Sequence, residues 1–217
     1  MKKVISLLVI GVVLVVQAAL LYAATSTFSL TATISGITGS SISAQTVTPP
    51  PPGTTGTTIW APVTGTALSF DPLTLQTYTV SGVTYQAFAP NHYFAIDIAG
   101  TGGAGTPSTT LNYVEGTSPT GSTSDQKLGN RANITYRALK YNPTGAPTEY
   151  VITSHMGGLL RNVINETITP AQVTATGGSW LRVYLGLNNG SVAGQTPFSP
   201  ADPAGSYTGQ LTITSTP

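Results

Sequence analysis

The sequence predicts an all-β protein, a sandwich or barrel of short antiparallel strands, and three observations carry that expectation. Runs of alternating apolar and polar residues recur from residue 59 onward, separated by clusters of Gly, Pro, Ser and Thr, the punctuation of strands and turns. No amphipathic stretch of ordinary helical length interrupts them. Charged residues make up 7% of the 217-residue chain, far below the roughly 25% of soluble domains. Solubility therefore rests on hydroxyls and amides, as suits an extracellular β protein or one that assembles with little self-repulsion.

The chain opens with Met1, Lys2 and Lys3, an apolar run, and then Leu21, Tyr22, Ala23 and Ala24. A basic start, an apolar middle and small residues make a cleavable secretion signal, and residues 1–23 are read as one. Residues 4–24 also approach the roughly 20 needed to span a bilayer, so an uncleaved anchor is the competing reading; Gln17 breaks the run and favours cleavage. Residues 24–38 follow as an N-terminal extension. In it Phe28, Leu30, Ala32 and Ile34, with Ile37 beyond, are set among small hydroxyl residues, the period-two pattern of a strand with one apolar face.

Residues 39–58 are rich in Gly, Ser, Thr and Pro, with four prolines at 49–52. They are read as a tether or a long surface loop, stiffened over about 12 Å by polyproline II. With no sequence neighbour to cover it, the extension strand must enter either the chain's own core or the sheet edge of another copy, through backbone pairing and side-chain pockets. Residues 59–217 form the β-sandwich domain. Its strand candidates are residues 73–80, 83–89, 92–99, 109–115, 132–141, 149–154, 180–187 and 207–214. Only residues 158–174 allow a helical turn or two, with a start at Pro170. No fixed-period repeat suggests a solenoid or propeller.

Composition narrows the function. Losing Lys2 and Lys3 with the signal would leave six basic against seven acidic residues, a balance that attracts no nucleic acid. There is no cysteine, so disulfides, Cys-based zinc sites and thiol nucleophiles are excluded. A hydrolytic site would have to join His92 or His155 to a carboxylate such as Asp97 and a serine. No nucleophile elbow or His-Glu-x-x-His pattern supports one, and each histidine is expected as a strand-end residue. The carboxylates Asp71, Asp97, Glu115, Asp125, Glu149, Glu166 and Asp202 are scattered, without the spacing of a calcium loop or a sequence-visible acid pair. No catalytic residue, cofactor or metal ligand is assigned.

Ten tyrosines and two tryptophans admit a carbohydrate reading, with Trp60, Trp180, Tyr136, Tyr141 and Tyr184 as candidates. In alternating strands such residues more often form core or cross-strand pairs. Asn133, Asn165 and Asn189 begin glycosylation sequons, which matter only in a host that glycosylates exported proteins.

Two stretches carry a resemblance. Gly205 and Tyr207 lead into a strand of alternating Thr and aliphatic residues with Leu211 and Ile213; this resembles the last strand of bacterial pilin-like and spore-coat-U-like secreted domains. The stretch from Thr25 to Ser35, directly behind the signal, is similar to the donor segment of fimbrial subunits. The resemblance implies an incomplete immunoglobulin-like sandwich whose missing strand comes from the next subunit. The expected class is therefore an immunoglobulin-like or jelly-roll-like antiparallel sandwich with an N-terminal extension strand. The expected function is that of a secreted or cell-surface structural subunit, a homopolymeric filament without stable membrane insertion after signal cleavage. The alternative is a monomeric secreted module that binds polysaccharide.

Overall fold

A computed structural model of the chain describes residues 27–36, 40–50, 54–80, 82–100, 105–155, 157–190 and 195–216. The expected signal peptide, residues 24–26 and Ile37 lie outside them. The protein is mostly β, with two facing sheets in a sandwich-like arrangement and a separate hairpin.

Among the described residues fourteen strands form, in chain order. They are β1 (Thr27–Gly36), β2 (Ser40–Thr48), β3 (Ile59–Pro62), β4 (Ala67–Ser69), β5 (Leu73–Val80), β6 (Val83–Pro90), β7 (Tyr93–Gly100) and β8 (Ser108–Glu115). After them come β9 (Ala132–Lys140), β10 (Thr148–Val151), β11 (Gly158–Leu159), β12 (Glu166–Ile168), β13 (Trp180–Leu187) and β14 (Ser206–Thr216). One sheet has the order β12-β8-β14-β1-β4; the other runs β10-β9-β13-β7-β2-β3, with β11 also on β9, and β5 pairs only with β6.

The core lies between the two larger sheets, because one face of each strand is apolar. Phe94, Ile96 and Ile98 of β7 and Leu181, Val183 and Leu185 of β13 meet Leu111 and Tyr113 of β8 and Leu211 and Ile213 of β14, all buried. Phe70, just after β4, closes one end against Phe94 with ring centroids 5.1 Å apart. The short helix Pro170–Thr174 starts where Pro170 predicts, capped by Thr169 and Gln172.

Residues 39–58 are not a tether throughout. Residues 40–48 form β2, paired antiparallel with β7 from Ser40–Gly100 to Val47–Tyr93. The physical reason is an alternation hidden in small residues: Ile42 and Ala44 lie against the core, while Val47 is fully buried in the strand's last turnward step. Hydroxyl residues read as linker composition, yet threonine is at home on a pleated surface. Only three residues therefore separate β1 in one sheet from β2 in the other.

Candidate functional site: the slot filled by the N-terminal strand

β1 lies between β14 and β4. Its pairing with β14 is parallel and unbroken from Thr27–Ser206 to Gly36–Ser215, and it is the one parallel pair among the described strands. Parallel neighbours cannot be joined by a tight turn; here they come from the two ends of the chain. On its other edge β1 meets β4 antiparallel through Ser29–Ser69, Leu30–Leu68 and Thr31–Ala67.

The register sets Phe28 level with Tyr207, Leu30 with Gly209, Ala32 with Leu211 and Ile34 with Ile213. All four β14 residues are buried. Thr31 is level with Gln210, which is exposed. The four apolar positions of the expected connector thus stand at the buried register positions of the last strand, because residues two apart share a face.

The last-strand residues do structural work around this slot. The Tyr207 hydroxyl donates to the Pro203 carbonyl at 2.5 Å, a corner that ties the strand entry to its own approach loop, as in immunoglobulin-type sandwiches. Gly205 adopts φ +145°, and a Cβ there would meet Pro119 at 2.9 Å. The approach loop is pinned by Arg131, buried, whose Nη2 donates to Asp202 Oδ1 at 2.8 Å and whose Nη1 donates to the Pro197 carbonyl at 2.9 Å.

Most carboxylates are occupied by structure. Glu115 accepts from the Leu128 and Gly129 N–H groups at 3.0 Å each, and from the Tyr113 hydroxyl at 3.1 Å. Burial, then that carboxylate, pushes the Tyr113 hydroxyl far above its ordinary range. Asp97 takes both Nε and Nη2 of Arg182, at 2.5 and 2.7 Å. Arg182 Nη1 reaches Glu149 at 2.9 Å, and the Tyr184 hydroxyl donates to the same Glu149 oxygen. This network lies on the outer face of the larger sheet, since Arg182 and Tyr184 alternate with the core residues Leu181, Val183 and Leu185.

Sequence reasoning missed that network, although the alternation Trp180, Arg182, Tyr184 carries its signal. The aromatic candidates divide. Tyr136 is core, whereas Trp60 is 41% exposed and roofs Arg182, with the guanidinium carbon 4.7 Å from the ring centroid. Trp180 is half-buried beside the exposed Tyr141, ring centroids 5.8 Å apart.

The histidines also divide. His92 is structural, its ring nitrogens 2.9 Å from the Ser69 carbonyl and 2.8 Å from Asn91 Oδ1. His155 is not merely a strand-end residue: its Nε2 faces Glu166 Oε1 at 3.5 Å in a cleft of about 430 Å³ that Tyr136 and Ser154 also line. Among the sequons, Asn165 and Asn189 are exposed, while the Asn133 amide nitrogen is bonded to Gln195 at 2.5 Å. Among the described residues no three His, Asp or Glu side chains gather as for a metal, and no helix is long and apolar enough to cross a membrane.

The geometry defines an all-β sandwich with its N-terminal strand inserted beside its C-terminal one. No family model, curated protein or solved structure matches the chain.

Proposed function

We propose that the protein is an exported structural subunit that polymerises into an extracellular or cell-surface filament by giving β1 to the slot of a neighbouring copy. The observation that carries this reading is the place of β1: the first of the described strands sits between the last, β14, and the short β4. Exchange preserves every backbone pair and changes only which copy supplies the strand, so it costs little in contacts. A strand passed head to tail generates an open fibre when the rotation does not close a ring. The slot it would enter is lined by Leu68, Tyr207, Leu211 and Ile213, all buried, so an empty slot exposes apolar surface and two unpaired strand edges.

Deleting residues 25–37 from the secreted protein and viewing it by negative-stain microscopy tests the reading. Fibres are expected from the full chain and none from the deletion variant; intact fibres from the variant would falsify it.

A second reading, a polysaccharide-binding module, is favoured by Trp60 alone. Its exposed ring is held by Arg182 beneath it and is free to stack on a sugar face. It predicts that Trp60→Ala abolishes retention on an insoluble glycan and leaves the monomer intact.

A further inference from the structure

Beside the cleft, five side chains make a chain of contacts that neither strand exchange nor glycan binding uses. The Tyr136 hydroxyl donates to Glu166 Oε2 at 2.6 Å, and Glu166 Oε1 faces His155 Nε2 at 3.5 Å. On the other side of the ring, His155 Nδ1 is 3.1 Å from Ser154 Oγ and 3.3 Å from Gln172 Nε2, which itself lies 3.1 Å from Ser154 Oγ.

The amide orientation of Gln172 is fixed independently. Its Oε1 accepts the Thr169 N–H at 2.7 Å and the Thr169 hydroxyl at 3.0 Å, so the NH2 group must face Ser154 and His155. An NH2 donor at Nδ1 makes that nitrogen the lone-pair nitrogen, and the ring proton then sits on Nε2, toward Glu166. A ring nitrogen with its lone pair shared between a serine hydroxyl and an amide NH2, and a carboxylate facing the far side of the ring, places a base beside a nucleophile and its target.

We propose that Ser154 and Gln172 join in a self-catalysed ester cross-link. His155 Nδ1 takes the Ser154 hydroxyl proton as Oγ bonds to the Gln172 Cδ. The Oε1 oxyanion is held by the Thr169 N–H and hydroxyl, the two donors already on it. The Cδ–Nε2 bond breaks, the Nδ1 proton passes to the departing nitrogen, and one ammonia leaves. The ester, neutral His155 and free ammonia account for every atom, and no further reactant is needed. The step needs a rotation about χ1 of Ser154 that brings Oγ from the amide nitrogen onto the adjoining carbon, and Ser154 is exposed. Holding nucleophile and amide in contact replaces a bimolecular encounter, and protonation of the released ammonia in water draws the step forward.

The product ties the segment after β10 to the helix before β13, a covalent staple in a chain without cysteine. It is independent of strand exchange.

Intact-mass spectrometry of the secreted full chain, with peptide mapping, decides the matter. Expected are a mass lower by one ammonia and a branched peptide joining Ser154 to Gln172 that mild alkali opens. Ser154→Ala and Gln172→Glu should show the full mass, and His155→Ala should form the link about 100-fold more slowly or worse, the usual effect of losing a general base. Full mass in the native protein after long incubation overturns the proposal. So does an ammonia loss that maps to Asn189-Gly190, where a succinimide would form with the same change in mass.

Discussion

Leu30 stands level with Gly209 across the parallel pair of β1 and β14, and with Leu68 on its other edge. Both register partners of Leu30 are buried, whereas its neighbour Thr31 is level with the exposed Gln210. On that register a charge at the first position is expected to fall among buried neighbours, where an unpaired charge is costly, and a charge at the second among exposed ones. Leu30→Asp and Ile34→Asp should abolish assembly, while Thr31→Asp should assemble nearly as the native chain. Burial of each apolar anchor in the slot would contribute about 1.5–3 kcal/mol before ordering costs. Mass photometry of the three variants checks the contrast, and equal assembly by Leu30→Asp and Thr31→Asp would show that β1 is not the connector.

Gly209 carries a second constraint from within its own sheet. A Cβ there would come within 2.6 Å of Tyr113 Cε2, and that ring is buried and held by Glu115. Gly209→Ala should therefore destabilise the fold by about 1–3 kcal/mol, the cost of overpacking. The loss should appear in urea unfolding and largely vanish when Tyr113 is made smaller as well.

Much of this fold was legible because its strands alternate strongly. The segments from Leu73 to Val80 and from Trp180 to Leu187 are strands with the predicted ends, and Pro170 with Thr169 announced the short helix. β2 was not legible, since Ser40, Ser41 and Ser43 look like linker, and its alternation rests on Ile42 and Ala44 alone. β4 and β12 are only three residues each, too short to show a period. The Ser154–Gln172 contact was invisible for a different reason: the two residues meet through a loop and a cap, and no sequence spacing encodes that. Trp60 and Tyr136 show the same limit, as aromatic residues of equal sequence character lie one on the surface and one in the core.

Arg182 and Asp97 form a bidentate pair whose side chains are 7% and 10% exposed. Removing one partner leaves a buried charge, which costs about 3–5 kcal/mol. Asp97→Ala should lose close to that amount, partly offset by Glu149. Replacing Asp97 and Arg182 together by Leu should recover most of it, because desolvation and attraction vanish together. Urea unfolding followed by tryptophan fluorescence reads both, with Trp60 reporting directly on Arg182.

Alkali should unfold the protein through its buried tyrosines. Burial, followed by the nearby Glu115 or Glu166 carboxylate, raises the hydroxyls of Tyr113 and Tyr136 far above the ordinary value of 10.0. Their folded-state values exceed the unfolded ones, so the stability they contribute is complete below pH 10 and is lost as pH rises beyond it. Each should cost up to about 1.4 kcal/mol per pH unit above that point. Ultraviolet titration should show these two ionising only with unfolding. Replacing both by Phe should shift the alkaline transition upward; an unchanged transition would count against this assignment.

Under the proposed exchange, the link between β1 and β2 would decide whether a copy fills its own slot or its neighbour's. From Gly36 to Ser40 four Cα steps span at most about 15 Å, and the link must cross between sheets that pack about 10 Å apart. Short connections favour exchange between copies, since the exchanged form keeps the same pairs. Inserting about six Gly and Ser residues between Gly36 and Ser40 removes that constraint and raises the local concentration of β1 at its own slot to the millimolar range. The lengthened chain should remain monomeric at micromolar concentrations where the native chain forms fibres. Its apolar slot should be protected from exchange with added β1 peptide, since its own strand fills it. Fibres of undiminished number and length from the lengthened protein would show that the link does not govern the choice.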